Sequence, residues 1–142
     1  MKKYLVLSII IVVLSSCSSS KKAYFSQPLY EVLTGSDYGG ANFKFYEIIS
    51  QEDEFKILLS DDELKKYVKK DDIVKSNFIL VNLGEKPSSG YTIQIVKVEE
   101  TAEKVMVTLK ENEPKSGEMV TSAITKPYFV LKINSKKPIE IK

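Results

Sequence analysis

The sequence has 142 residues, with 21 basic and 19 acidic side chains and a formal net charge of +2. Every basic residue is a lysine and histidine is absent, which excludes guanidinium clamps, Ser-His-Asp or Cys-His catalysis and the usual zinc sites. The lone cysteine, Cys17, excludes a disulfide within the chain.

Taken in chain order, Met1-Lys2-Lys3 supplies a positive start and Tyr4 to Leu14 a short apolar run. Leu14-Ser15-Ser16-Cys17 then has the order of a lipobox: an apolar residue, two small ones and the cysteine. A secretory signal needs this succession of charge, apolar stretch and small residues. The apolar run is shorter than the roughly 20 residues that cross a bilayer. Residues 1–16 therefore read as a lipoprotein signal peptide, with Cys17 as the lipidation site and lipid anchor to a bacterial membrane. Residues 17–26, beginning Ser18-Ser19-Ser20-Lys21-Lys22, read as a lipidated tether. The expected location is the bacterial cell envelope, on the periplasmic face of a membrane. Removal of residues 1–16 leaves 126 residues and takes two of the 21 lysines, so 19 lysines then face 19 acids. That balance argues against a nucleic-acid partner.

Residues 27–142 are expected to form a single domain. Leu29 to Leu33 reads as a first strand, Thr34 to Gly40 as a turn-rich loop and Asn42 to Ile49 as a second strand. Ser50-Gln51-Glu52-Asp53 resembles a capping box, with Ser50 as the cap. Phe55, Leu58 and Leu59, then Leu64, Tyr67 and Val68, fall at helical spacing. One helical segment from Gln51 to about Lys69 is predicted, with a break near Ser60. Its acids favour the helix start, and Lys65, Lys66, Lys69 and Lys70 its end.

From Asn77 the chain reads as a β-meander. Phe78 to Val81 is a buried-type strand. Tyr91, Ile93, Ile95 and Val98 form one apolar face, and Val105, Val107 and Leu109 another. Tyr128 to Ile133 is a further strand, and Ile139-Glu140-Ile141 closes the sheet. The predicted fold is α+β, a mostly antiparallel β-sheet with one helical segment packed on it. Phe55, Phe78, Ile93, Val107 and Phe129 are the expected core.

Two connections carry strong turn chemistry: Lys86-Pro87-Ser88-Ser89-Gly90, and Asn112 to about Lys126. The second is long for a hairpin, and such length in a compact domain is usually functional. Three local patterns occur in this half of the chain. They are Leu83 to Tyr91, then Glu111-Asn112-Glu113-Pro114 with Ser116-Gly117, then Ile124-Thr125-Lys126-Pro127-Tyr128-Phe129-Val130. With the entry Val74-Lys75-Ser76-Asn77-Phe78, their order over residues 76–133 resembles the C-terminal domain of the PrcB family. Ser89 stands where that family commonly has a second glycine. The resemblance implies a lipoprotein-associated subunit of a protease complex that stabilises a secreted subtilisin-like protease. The expected partner is such a protease or another envelope protein.

The candidate partner-binding residues are Pro87, Ser88, Ser89, Gly90 and Tyr91 in the turn, Met119 in the long loop, and Pro127 and Tyr128 at the strand entry. Tyrosine offers large contact area at little entropic cost. Pro87-Ser88-Ser89-Gly90-Tyr91 is also similar to a loop of chagasin-type cysteine-protease inhibitors, which makes a protease inhibitor the alternative reading. Lys86 holds the asparagine position of that loop, and the chain has no arginine or tryptophan for the Arg-Pro-Trp loop. A Ser-Lys dyad of Ser88 or Ser89 with Lys86 is conceivable, but no catalytic residue is expected. No metal and no cofactor are expected.

Overall fold

The computed structural model describes residues 27–142. The signal-peptide, lipidation and tether expectations fall on residues 1–26, outside the described residues. Seven strands form two sheets. β1 (Tyr30–Ser36), β2 (Lys44–Ile49), β3 (Asn77–Leu83) and β6 (Tyr128–Ile133) make an antiparallel sheet in the order β1-β6-β3-β2. β4 (Thr92–Glu100), β5 (Val105–Asn112) and β7 (Ile139–Ile141) make a second sheet in the order β4-β5-β7. Between β2 and β3 lie helix α1 (Glu52–Ser60), a 3₁₀ turn (Leu64–Lys66) and the short helix α2 (Asp72–Lys75). The α+β class is as predicted.

The layering follows from side-chain alternation. β3 is buried on both faces, which is why it reads as a continuous apolar run rather than an alternating one. On one face Phe78 packs with Val130 of β6, Leu33 of β1 and Phe55, Leu58 and Leu64 of the helical layer. The Phe55 and Phe78 rings stack with centroids 4.7 Å apart. On the other face Ile79 and Val81 meet Leu131 and Ile133 of β6 and Val105 and Val107 of β5. Ile93, Ile95, Val98 and Phe129 are half-buried against this second core. The β4 register slips between Ile95 and Lys97, a bulge at Val96 that turns Val98 back to the face shared by Ile93 and Ile95.

Several expectations are corrected. The meander is limited to the β4–β5 hairpin; β3 pairs with β6 and β2, and β7 runs parallel to β5. β1 extends through the expected turn residues to Ser36. The helix cap is Gln51, one residue later than expected, with the Glu54 carboxylate accepting from the Ser50 and Gln51 amides at 3.1 and 3.2 Å. α1 ends at Ser60 without a basic residue in its last turn, so the lysines expected to favour its end lie beyond it. Tyr67, expected at helical spacing with Leu64 and Val68, is exposed, whereas those two are buried.

The two ends of this sandwich differ. β1 enters at the end formed by Tyr30, Ile133, Asn77 and Ile49, which we call the entry end. Connections 37–43, 84–91 and 113–127 gather at the opposite, loop end, where Ser36, Tyr128, Asn82 and Phe45 are cross-strand neighbours.

Candidate functional site

The turn 84–91 and the loop 113–127 are joined along their length. The Lys86 amide donates to the Thr125 carbonyl at 2.8 Å and the Thr125 amide returns to the Lys86 carbonyl at 3.0 Å, an isolated antiparallel bridge. Further out, the Ser89 amide donates to the Thr121 carbonyl at 3.1 Å, and the Thr121 amide donates to Ser89 Oγ at 2.9 Å. The buried Thr125 hydroxyl donates to the Ser88 carbonyl at 2.9 Å. The long loop is thereby fastened to the turn as a ledge.

Glycine makes the turn possible. Gly90 has φ +92°, and a Cβ there would lie 3.0 Å from the Pro114 ring and 3.2 Å from a Val120 methyl. Any other residue would meet both backbone strain and the facing loop.

A charged brace supports the base of the ledge. Tyr46 on β2 donates its hydroxyl to the Glu111 carboxylate at 2.8 Å, and Lys44 pairs with the same carboxylate. The Lys44 contact holds the Glu111 carboxyl below its ordinary range, against the opposing effect of burial. Burial first, and then the bond to Glu111, raises the Tyr46 phenol. β2 of one sheet is thus tied to the end of β5 in the other, where the long loop begins. Beside this brace, the Lys86 ammonium sits 5.3 Å from the centroid of the Tyr91 ring.

The residues proposed from sequence occupy three different settings. Pro87 and Gly90 are exposed, and Ser88, Ser89 and Tyr91 are half-buried within the turn. Met119 projects from the ledge at 99% exposure, near the exposed Val120 and Ile124. Pro127 is buried, and its carbonyl accepts from the Leu83 amide at 2.9 Å. Tyr128 turns its ring away from the ledge, to the helical side, where it packs against the core of Phe78 and Leu64. Ser88 Oγ donates to the Ser89 carbonyl at 3.1 Å and Ser89 Oγ lies 3.4 Å from Thr121 Oγ1. Both serines are therefore engaged in holding the loops.

Sequence reasoning passed over a neighbouring cleft. It has a volume of about 490 Å³ and lies between the helical layer and the loop end, with Phe45, Leu58, Asp61, Leu64, Asn82 and Tyr128 in its lining. Asn82 is 1% exposed, and its amide oxygen accepts from the Ala41 amide at 3.0 Å, clamping connection 37–43. One polar residue at the end of the apolar run Phe78-Ile79-Leu80-Val81-Asn82 was the available signal, since a buried amide must find partners.

The comparisons with known proteins fall on the strands that carry this site. Residues 77–134, from β3 through β6, match the family described as PrcB C-terminal. An uncharacterized protein of Methanocaldococcus jannaschii is 39% identical over 64 residues, which cover 45% of this chain and 38% of that protein. The chain thus corresponds to well under half of that relative's length. No solved structure matches. The PrcB resemblance read from the three motifs holds for residues 77–134.

Proposed function

We propose that the protein is a lipid-anchored accessory subunit of the bacterial cell envelope that uses the ledge to bind and stabilise a partner, a secreted protease. The observation that supports this most is the separation of the two ends. The described chain enters at Tyr30, whereas the ledge stands at the other end of β3. Seven residues at about 3.3 Å each put the ends roughly 20 Å apart. A lipid on Cys17, joined through residues 17–26, would leave the ledge facing away from the membrane surface. Met119, Val120 and Ile124 are exposed apolar side chains of one loop that is hydrogen-bonded to the turn, and exposed apolar surface of this kind marks contact sites. The role is binding and not catalysis, in keeping with the structural bonds of Ser88 and Ser89.

The combined variant Met119→Glu/Ile124→Glu tests this directly. Both side chains are exposed, so the fold should melt within about 0.5 kcal/mol of wild type. The protease should no longer copurify with the full-length protein from envelope extracts, and its half-life in cells should fall. Unchanged capture and unchanged protease lifetime would defeat the proposal. The anchor is tested separately: Cys17→Ser should abolish labelling by a fatty-acid probe, and persistent labelling would refute lipidation at that residue. The gathering of three connections at one end also favours a second reading, a chagasin-like inhibitor lipoprotein. In that case the captured enzyme would be a cysteine protease and would lose activity on binding.

A further inference from the structure

The cleft beside Tyr128 has the makings of a second recognition site. Its walls are apolar: Ile57, Leu58, Leu64 and Leu80, with the Phe45 and Tyr128 rings. Its volume of about 490 Å³ is that of a ligand pocket rather than a packing defect. The opening is maintained by two glycines. A Cβ on Gly39 would fall 2.5 Å from the Tyr128 ring, and one on Gly40 would fall 2.1 Å from Asn82 Oδ1. Connection 37–43 can therefore lie flat along the rim only with glycine at those positions.

Most polar groups of the lining are already engaged. The Asn82 amide is spent on Ala41 and Phe43, and the Ser60 hydroxyl donates to the Ile57 carbonyl at 2.8 Å. Asp61 is different. One of its carboxylate oxygens accepts from the Glu63 and Leu64 amides, each at 2.9 Å, and the other takes no hydrogen bond among the described residues. Asp62 and Glu63 have lysine partners at 2.5 and 2.7 Å, but Asp61 forms no ion pair among the described residues. Tyr128 is half-buried with its hydroxyl uncommitted, and its phenol is raised first by burial and then by the charges of Asp61 and Glu63. The negative field of the rim thus reaches the aromatic floor.

We propose that this cleft binds a basic peptide segment of a partner protein, with one lysine or arginine stem lying along Leu58, Leu64 and Tyr128 and its cation at Asp61. An apolar stem with a positive tip fits apolar walls that end in an unpaired carboxylate beside an aromatic face. The cleft adjoins the ledge through a continuous run. The Gly40 amide donates to the Lys126 carbonyl at 2.9 Å, and Tyr128 follows two residues later. A polypeptide crossing the loop end could therefore occupy both sites, but the cleft's chemistry does not depend on the ledge.

Fluorescence anisotropy with full-length protein in mild detergent tests the proposal, using a labelled Ala-Leu-Arg-Leu-Ala peptide. Saturable binding is expected, and at least about tenfold weaker binding when glutamate replaces the arginine, a difference of about 1.4 kcal/mol. Asp61→Asn keeps the capping oxygen and removes the charge. Ile57→Lys places a competing cation at an exposed rim position, 66% accessible. Each should weaken the arginine peptide about fivefold or more while the melting temperature holds. Met119→Glu/Ile124→Glu should leave this binding intact, which separates the cleft from the ledge. Equal affinity for the arginine and glutamate peptides, or no saturation below millimolar peptide, would overturn the proposal. Acetylarginine amide binding as tightly as the peptide would also overturn it, in favour of a site for small cations.

Discussion

The two ends of the sandwich are built on opposite plans. At the entry end, connections 101–104 and 134–138 are short and tied by polar side chains, and connection 50–76 is folded into the helical layer. Asn134 donates to the Pro28 carbonyl at 2.7 Å, Ser135 to Glu100 at 2.8 Å, and Lys137 to the Thr101 carbonyl at 2.6 Å. At the loop end, the connections contain no helix, and the three positive-φ glycines of the described residues, Gly84, Gly90 and Gly117, all lie in them. Tyr38, Phe43, Met119, Val120 and Ile124 are exposed there, and Tyr30, Val32, Ile48 and Val74 are exposed towards the entry. An end that is both hydrogen-bonded and apolar keeps its shape while offering area worth covering. If the ledge is the contact surface proposed above, stability and recognition are placed about one strand length apart and should be separable by mutation.

The largest effect should come from the core beside the entry. Phe78 is fully buried and stacked on Phe55, so Phe78→Ala should cost about 3–5 kcal/mol in denaturant melts. A loss under about 1 kcal/mol would break the assignment of the core to this end.

Next comes the ion pair that fastens α2 to β6. Asp72 meets Lys132 at 2.8 Å, with both side chains no more than 20% exposed. Burial alone would raise the Asp72 carboxyl, but the Lys132 contact and the Lys69 amide outweigh it and hold it below 3.8. A folded value below the unfolded one contributes stability that is present above the unfolded value and lost as pH falls through the folded value. Stability should therefore decline below about pH 4, and Asp72→Asn should cost about 1.5–3 kcal/mol at neutral pH while flattening that decline. An unchanged acid limb in the variant would remove Asp72 from the account.

At the loop end the balance reverses. Gly90→Ala forces a side chain into the left-handed region and against Pro114, and should cost about 1–3 kcal/mol together with partner capture. Met119→Glu alone should change stability by less than about 0.5 kcal/mol and still weaken capture. A variant here that unfolds the domain as far as Phe78→Ala would collapse the contrast between the ends.

Much of this was legible in the residues. β5 alternates plainly and β6 is rich in aromatic and β-branched residues, so Val105, Val107 and the run from Tyr128 to Ile133 were placed correctly. The pairing of strands was not legible, because hydrophobic period gives a strand its faces but not its neighbours. The continuous apolar run of β3 did carry a clue that both faces are covered, and that clue implied the second sheet. Within the candidate site, the turn chemistry located the two loops and Gly90. Tyr128 was grouped with Tyr91 and Met119 because it stands at the strand entry just after the long loop, whereas alternation along β6 sends Tyr128 to the helical side and Phe129 to the inter-sheet core. Nothing local distinguishes Asp61 from Asp62 in the sequence; only the fold brings Tyr128 beside it.

The most direct test of the account places a photocrosslinking benzoylphenylalanine at Met119 in one full-length variant and at Lys136 in another, in intact cells. Both positions are exposed, and they stand at opposite ends of the sandwich. Irradiation should crosslink a protease through position 119 and not through position 136. Crosslinking of that protease through position 136 alone would contradict the assignment of recognition to the loop end.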